Sequence, residues 1–317
     1  MNKGLRVLSL FDGISCGRVA LERVGLPVSE YIAYEIDSSA IKVSEHNYAD
    51  IVHCGDVTKA DYTEYKGIDL LMGGSPCTNF SSAGNRKGAV TDKGESVTTY
   101  EDYIRLKERG VSFEGQSYLF WEYVRALREV KPTYFLFENV KMKKEWRDII
   151  TKALGVEPIL INSKKFSVQR RERLYWTNIP INQEDLENRD CNLVLKDIVR
   201  ECDNSRHHLS EKHKQGFLRN YKWRGLSLEE KSTTLLASYY KQPAHCPYIE
   251  CKQSESGYRM LSPIECERLQ TLPDNYTDCV SKTQRYKSLG NCWTVDVIGY
   301  ILQGLKNKET EEEKCGY

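Results

Sequence analysis

The sequence has no run of about 18 consecutive apolar residues, which argues against a membrane-spanning helix. Its first residues, Met1-Asn2-Lys3-Gly4, lack the apolar stretch of a secretory signal, so a cytoplasmic location with no membrane partner is expected. Net charge is nearly absent as well. With 46 Lys+Arg against 45 Asp+Glu, any nucleic-acid binding must come from a local basic face and not from global charge. Eleven cysteines are scattered through 317 residues without paired or regular spacing, unlike the disulfide framework of a short extracellular chain. No internal repeat is visible. What remains is a chain that is 40% hydrophobic, enough for a sizeable core in one large or two modest domains.

The pattern along the chain is alternation. Residues 5–10 (LRVLSL) read as a short buried strand that runs into the glycine turn FDGISCG, and residues 18–24 have helical spacing. Further strands are expected at 31–35, 51–54, 68–72, 134–137, 158–161 and 173–177, with helices at 38–47, 116–130 and 146–154. This predicts an α/β fold built on a parallel, doubly wound sheet, whose ligands bind outside the carboxyl ends of the strands. Two stretches break the rhythm. Residues 84–115 are polar and glycine-spaced, the profile of a mobile functional loop. Residues 181–258 lose the alternation, collect four of the six histidines, and hold ten Lys/Arg against six Asp/Glu between positions 196 and 241. The expected division is therefore a catalytic and cofactor-binding unit over 1–180, a small substrate-facing domain over 181–258, and a segment at 259–317 that returns to the first unit. Within that segment, 262–269 and 294–305 have helical spacing.

Candidate chemistry sits at the strand ends. The turn around Asp12, Gly13 and Gly17 lets the backbone approach a nucleotide-type ligand. Glu35, about 20 residues on, can hold ribose hydroxyls, and Asp56 can accept from an adenine amino group. Each acid taken singly is also an ordinary solvated turn residue. Gly73-Gly74-Ser75-Pro76-Cys77 is the sharper signal, because a structural cysteine belongs inside an apolar run, whereas Cys77 emerges on a proline turn where a thiolate can attack an electrophile. Glu138 follows another strand, and alternation in Gln169-Arg170-Arg171-Glu172-Arg173 places Gln169, Arg171 and Arg173 on one face.

In order and spacing, SLFDGISCG, GGSPCTNFS, FENV, SVQRRERLYW, RMLSPIECERLQTLPDNY and SLGNCWTVDVI resemble the motifs of DNA cytosine-5 methyltransferases. Several details look closest to the catalytic domain of the eukaryotic de novo enzymes: LFDGIS with GGSPC, the segment Leu119-Phe120-Trp121-Glu122, and the tryptophan of GNCWTV. A compact bacterial or phage enzyme of that branch fits equally. The resemblance implies a Rossmann-like S-adenosylmethionine-dependent methyltransferase fold with a small target-recognition domain inserted, double-stranded DNA as partner, and no metal. It assigns Cys77 as the nucleophile at cytosine C6, a protonated Glu138 at N3, and Arg171 and Arg173 around the base, with Asn139 and Gln169 positioning the loop. Cofactor contacts carried over are Phe11, Asp12, Gly13, Ile14, Ser15, Cys16, Glu35, Ile36, Asp56 and Val57, closed from the C-terminal side by Asn291, Cys292 and Trp293. Cys16 and Cys292 are taken as inert packing residues. Reaching a stacked cytosine requires base flipping, for which the loop bearing Asn85, Arg86 and Lys87 is the expected closing element. Arg206, Lys214, Arg219, Lys222 and Arg224, with Lys212, are expected at DNA phosphates.

Other readings compete. A tRNA cytosine-5 methyltransferase shares this motif set, and an inactive DNA-binding regulator would keep the fold but typically loses the nucleophile, which is present here. A nicotinamide-dependent dehydrogenase shares the nucleotide pattern without needing the Pro-Cys turn. Zinc in the insert is disfavoured because Cys246 and Cys251 have no matching close pair. A monomer or a homodimer is expected. Exposed Phe120 and Trp121 would favour the dimer, whereas the simpler expectation places both in the core of their helix. No separate endonuclease domain is expected in this length.

Overall fold

The computed structural model describes residues 4–76, 89–200, 207–221 and 223–315, with side chains described as far as 306. In chain order the elements are β1 (Leu5–Leu10), α1 (Cys16–Arg23), β2 (Val28–Tyr34), α2 (Ser38–Asn47), β3 (Ile51–His53), β4 (Leu70–Gly73), β5 (Val90–Thr91), α3 (Tyr100–Glu108), β6 (Phe113–Glu114), α4 (Phe120–Val130) and β7 (Tyr134–Val140). There follow α5 (Lys144–Leu154), β8 (Ile159–Asn162), β9 (Glu172–Thr177), α6 (Gln183–Asn188), α7 (Glu211–Asn220), β10 (Tyr248–Glu250), β11 (Tyr258–Met260), α8 (Pro263–Leu269), α9 (Lys282–Asn291) and α10 (Val295–Cys315).

Seven strands form one sheet in the order β3-β2-β1-β4-β7-β9-β8. Its central strands are apolar on both faces because both are covered. In β1, Val7 packs into a cluster with Tyr31, Met72 and Ile301, while the next residue, Leu8, packs into a second cluster with Phe137 and Trp176. The strand order reverses between β1 and β4, and the crevice at such a switch point is where ligands of open α/β sheets bind. Among the described residues, no helix is long and apolar enough to cross a membrane.

The α/β expectation holds, with one strand reversed. β9 pairs antiparallel with both β7 and β8, because the short connection from Asn162 to Glu172 has no room for the crossover that a parallel neighbour needs. The expectation of an unpacked loop over 84–115 is corrected for residues 89–115. There β5 pairs with β6, and between them α3 is capped by Thr99, whose hydroxyl accepts from the Asp102 backbone N–H at 3.1 Å. Tyr103 and Leu106, one helical turn apart, bury the inner face of α3. Residues 84–88 lie outside the described residues. Phe120 and Trp121 are only 1% and 2% exposed, which removes them as an argument for a dimer; they pack among aromatics such as Phe137, whose ring centre lies 5.3 Å from that of Phe120.

The same helix buries a charge. Glu122 is fully buried and accepts from Arg125 Nε at 2.7 Å, from Lys107 Nζ and from the Tyr103 hydroxyl. Arg125 reaches on to the backbone carbonyls of Val57 and Ala60, so this carboxylate ties α3 and α4 to the turn after β3. Breaking a buried pair from one side leaves a buried, uncompensated charge. Glu122→Ala is therefore expected to lose about 3–5 kcal/mol of stability, read as a lower urea midpoint at unchanged slope. A midpoint within error of wild type would show that the cluster does not hold the region together.

Candidate active site

The turn that follows β1 is unusual in its backbone. Phe11, Gly13 and Ser15 all have positive φ, at 58°, 61° and 59°, and for Phe11 and Ser15 that region is strained. Asp12 holds the turn in place. One of its carboxylate oxygens accepts from Ser9 Oγ at 2.6 Å and Tyr31 Oη at 2.8 Å, and the other accepts from Ser15 Oγ at 2.5 Å. With both oxygens engaged, Asp12 offers a ligand its backbone and not its carboxylate. Burial, and then the neighbouring Asp12 charge, keeps the Tyr31 hydroxyl protonated well above the ordinary tyrosine range. Tyr276 Oη adds a bond to the Ile14 carbonyl at 2.7 Å, reaching in from the C-terminal segment.

Glu35 follows β2, beside that turn, and accepts from the backbone N–H groups of Gly13, Ile36 and Asp37, each at 2.8 Å. A carboxylate has about four acceptor sites, so a hydroxyl can still be received. Ile36 is 68% exposed, an apolar side chain presented to an open space. Val57 is buried next to Asp56, one of whose oxygens caps the following turn through Thr58 N at 2.9 Å and Thr58 Oγ1 at 2.8 Å. Gly13 and Gly55 have positive φ, and a Cβ added at either would meet nothing within 4 Å. A ligand can therefore approach the backbone closely there. An apolar wall, a hydroxyl acceptor and open glycine turns suit the adenosyl part of S-adenosylmethionine.

On the other side of the switch point, β4 ends in Gly73 and continues through Gly74, Ser75 and Pro76. Cys77 lies outside the described residues, as do Asn85, Arg86, Lys87, Arg206 and Lys222. The turn leading to Cys77 is pressed onto Glu138, since a Cβ at Gly74 would come within 2.9 Å of Glu138 Oε2. Asn139 Nδ2 donates to the Ser75 carbonyl at 3.3 Å. Glu138 itself is 8% exposed. Arg173 Nε reaches its Oε1 at 2.9 Å, and Trp293 Nε1 donates to its Oε2 at 3.1 Å. The register explains the first contact: Glu138 stands opposite Tyr175 and Val140 opposite Arg173, so the ion pair is a diagonal on one sheet face.

The structure separates the two arginines that the sequence grouped. Arg171 is buried, and its guanidinium donates to the carbonyls of Leu235, Gly290 and Cys292 at 3.1–3.3 Å. Burial, followed by the charge of Arg173, pushes its pKa down to about 10. Arg171 is thus a brace between β9, the insert and the end of α9, and Arg173 is the guanidinium beside Glu138. Gln169 is a second brace, accepting from Leu235 N at 2.8 Å and donating to Gln270 Oε1 at 3.1 Å. Asn291 is exposed at the end of α9, whereas Cys292 is buried. The hydrogen bond to Cys292, then burial, raises the Cys16 thiol well above its usual range, consistent with packing and not reactivity. The indole bond from Trp293 to Glu138 had no sequence signal, because the two residues are 155 positions apart.

Of the basic residues assigned to DNA, Arg219 is exposed on α7. Lys214 donates to the Ser256 carbonyl at 2.8 Å, and Arg224 forms a two-pronged pair with Glu230 at 2.6 and 2.7 Å. Among the described residues, no group of three His, Cys, Asp or Glu side chains is placed to hold a metal ion.

The profile of the C-5 cytosine-specific DNA methylases matches residues 5–307. The chain belongs to this family. Among curated proteins it is 34% identical over 273 residues to the orphan methyltransferase M.SPRI of Bacillus phage SPR, covering 81% of this chain and 55% of that protein. It is 29% identical to the type II methyltransferase M1.ScrFI of Lactococcus lactis, over 95% of this chain and 77% of that one. The chain thus spans about half the length of the phage relative. In fold it is similar to the Entamoeba histolytica methyltransferase EhMeth, with a TM-score of 0.73 at 16% identity, covering 97% and 99% of the two chains. The S. pombe Dnmt2 methyltransferase gives 0.71 at 17%, covering 96% and 99%. As a member of the family, the chain has the fold and cofactor class of S-adenosylmethionine-dependent methyltransferases.

Arg171→Ala should leave three buried carbonyls short of a donor and lower stability by about 3 kcal/mol or more, at roughly 1–3 kcal/mol per unsatisfied group. Arg173→Ala should instead lower kcat at a smaller cost in stability, because the Glu138 carboxyl keeps its bond from Trp293 and can take up a proton. Paired thermal melts and initial rates check the contrast, and equal destabilisation by both changes would contradict the division of roles.

Proposed function

We propose that the protein transfers a methyl group from S-adenosylmethionine to C5 of a cytosine in a nucleic acid. The observation that carries this reading is the buried Glu138 carboxyl group, held between Arg173 and Trp293 directly against the turn that leads to Cys77. Cytosine C5 is too weak a nucleophile to take a methyl group unaided. Addition of the Cys77 thiolate to C6 pushes electrons into the ring, and a proton from Glu138 at N3, with the Arg173 guanidinium near O2, stabilises the charge that builds there. When bound, S-adenosylmethionine supplies an electrophilic methyl group at C5. Loss of the C5 proton and expulsion of the Cys77 thiolate restore the aromatic base. A stacked cytosine cannot reach this crevice, so the target base is flipped out, and the segment over 181–258 serves as the target-recognition part.

Two polymers fit. Duplex DNA is supported by the family match and by the identity to phage and bacterial methyltransferases. RNA, such as tRNA, is backed better by overall form, because the EhMeth and Dnmt2 chains are matched over 99% of their length whereas 55% of the phage enzyme is matched. Expression in a bacterial host without cytosine methylation, followed by bisulfite sequencing of its DNA and its tRNA, tests both. Resistant cytosines at one short sequence in DNA, or at one position in tRNA, are expected with the wild type and absent with Cys77→Ala. Complete conversion of both polymers by a folded wild-type protein would overturn the reading.

A further inference from the structure

A second concentration of positive charge lies outside the catalytic crevice, at the far end of the same sheet edge. The edge strand β8 finishes at Asn162, the chain turns through 163–165, and it comes back past Arg170 into β9. The segment that follows α6, together with Lys231, packs against this turn and leaves a cleft of about 400 Å³. Five cationic side chains line it: Lys164, Lys165, Arg170, Arg189 and Lys231. Glu187 and Asp190 are the acids in the lining, so the cleft is strongly positive in a chain whose formal net charge is only +1.

The way these charges are held favours an anionic ligand. Arg189 is the one of the five that has a carboxylate at ion-pair distance among the described residues, Asp185 at 3.0 Å. Its guanidinium also lies 5.1 Å from the centre of the Phe166 ring and 4.8 Å from that of Tyr300, which fixes its orientation. Lys165 Nζ donates to the Glu187 carbonyl at 2.8 Å, and Lys231 Nζ donates to the Leu193 carbonyl at 2.8 Å and to Cys191 Sγ at 3.1 Å. Carbonyl acceptors position an ammonium group without cancelling its charge. Lys164 and Arg170 are exposed on the rim.

Position identifies the anion. Ile161 of β8 and Val140 of β7 both pair with Arg173, so the end of β8, from which the turn lining the cleft departs, lies two strands from the end of β7, on the order of 10 Å at about 4.8 Å per strand. At about 3.4 Å per base step along one strand, a polynucleotide with its cytosine at Glu138 reaches this distance within a few nucleotides. We propose that the cleft is a second anchoring surface for the nucleic-acid substrate, gripping its backbone phosphates. The proposal rests on the nucleic-acid reading above and adds a contact made by cations that the sequence reading did not assign to the nucleic acid. Backbone contacts of this kind set affinity and register and carry no base specificity.

The test uses the full chain, a fluorescein-labelled DNA duplex and a labelled tRNA, with anisotropy titrations over a range of salt. For the polymer that the wild type binds, Lys164→Ala/Arg170→Ala is expected to weaken affinity about ten-fold or more, and on duplex DNA to reduce the salt slope by about 1.8, at roughly 0.9 per lost phosphate contact. KM for the nucleic acid should rise, with kcat and S-adenosylhomocysteine binding unchanged. Lys42→Ala/Lys152→Ala removes two exposed lysines from α2 and α5 and should bind as the wild type does. Equal losses in both double variants would trace the effect to global charge and overturn the proposal, as would a wild-type affinity and slope for the cleft variant. A wild type that methylates and binds its polymer while the cleft variant is unaltered would sink the cleft alone. A folded wild type that binds neither polymer would sink the proposed function with it.

Discussion

The carboxyl group of Glu138 is buried at the end of a central strand, and the site depends on how that burial is made tolerable. A buried carboxylate without partners is too costly to keep. Its two partners come from segments far apart in the chain: Arg173 from the antiparallel strand β9 and Trp293 from the residues between α9 and α10. The reversal of β9 therefore has a consequence for the site. Pairing β9 antiparallel to β7 brings its first residues to the carboxyl edge of the sheet, where the diagonal from Arg173 reaches Glu138.

At the end of β1 the corresponding constraint is the left-handed turn that follows it. Two non-glycine residues with positive φ within five positions store strain, and the three hydroxyls that converge on Asp12 offset it. Glu35 is committed to three backbone N–H groups, which sets its orientation before any ligand arrives. Preorganisation of this kind lowers the cost of ordering the site when a ligand binds.

The sequence made much of this legible, and the reasons it failed elsewhere are local. Strands buried on both faces, such as β1 and β4, are short continuous apolar runs, and the glycine turns that follow them mark the ligand edge directly. Glu35 and Glu138 could be placed at strand ends by counting alone. Strand direction is not written in such a pattern: β9 has the composition of a parallel strand, and only the shortness of the link from Asn162 could have indicated its reversal. Between 99 and 108 the helix was hidden by its polar outer face, although Thr99 followed by Asp102 is a helix-start signal and Tyr103 with Leu106 supplies the buried stripe. The split between Arg171 and Arg173 was out of reach, because alternation puts both on one face and cannot show that the carbonyls of Leu235, Gly290 and Cys292 occupy the first of them.

Those carbonyls make residues 290–293 common to both halves of the site. Gly290 fits because a Cβ there would fall within 2.2 Å of the Ala237 backbone, so the end of α9 lies directly against the insert. Arg171 grips the carbonyls of Gly290 and Cys292, the Cys292 side chain meets Cys16 at the start of α1, directly after the β1 turn, and Trp293 bonds Glu138. Packed cores shift between discrete arrangements and deform little in between. A movement of this segment driven by a ligand at the β1 turn would therefore be felt at Glu138 through Trp293, and at the insert through Gly290. The turn after β1, the Glu138 carboxyl group and the insert are joined through four residues near the C-terminal end, which is why a motif so far along the chain lies against the same crevice as the first strand.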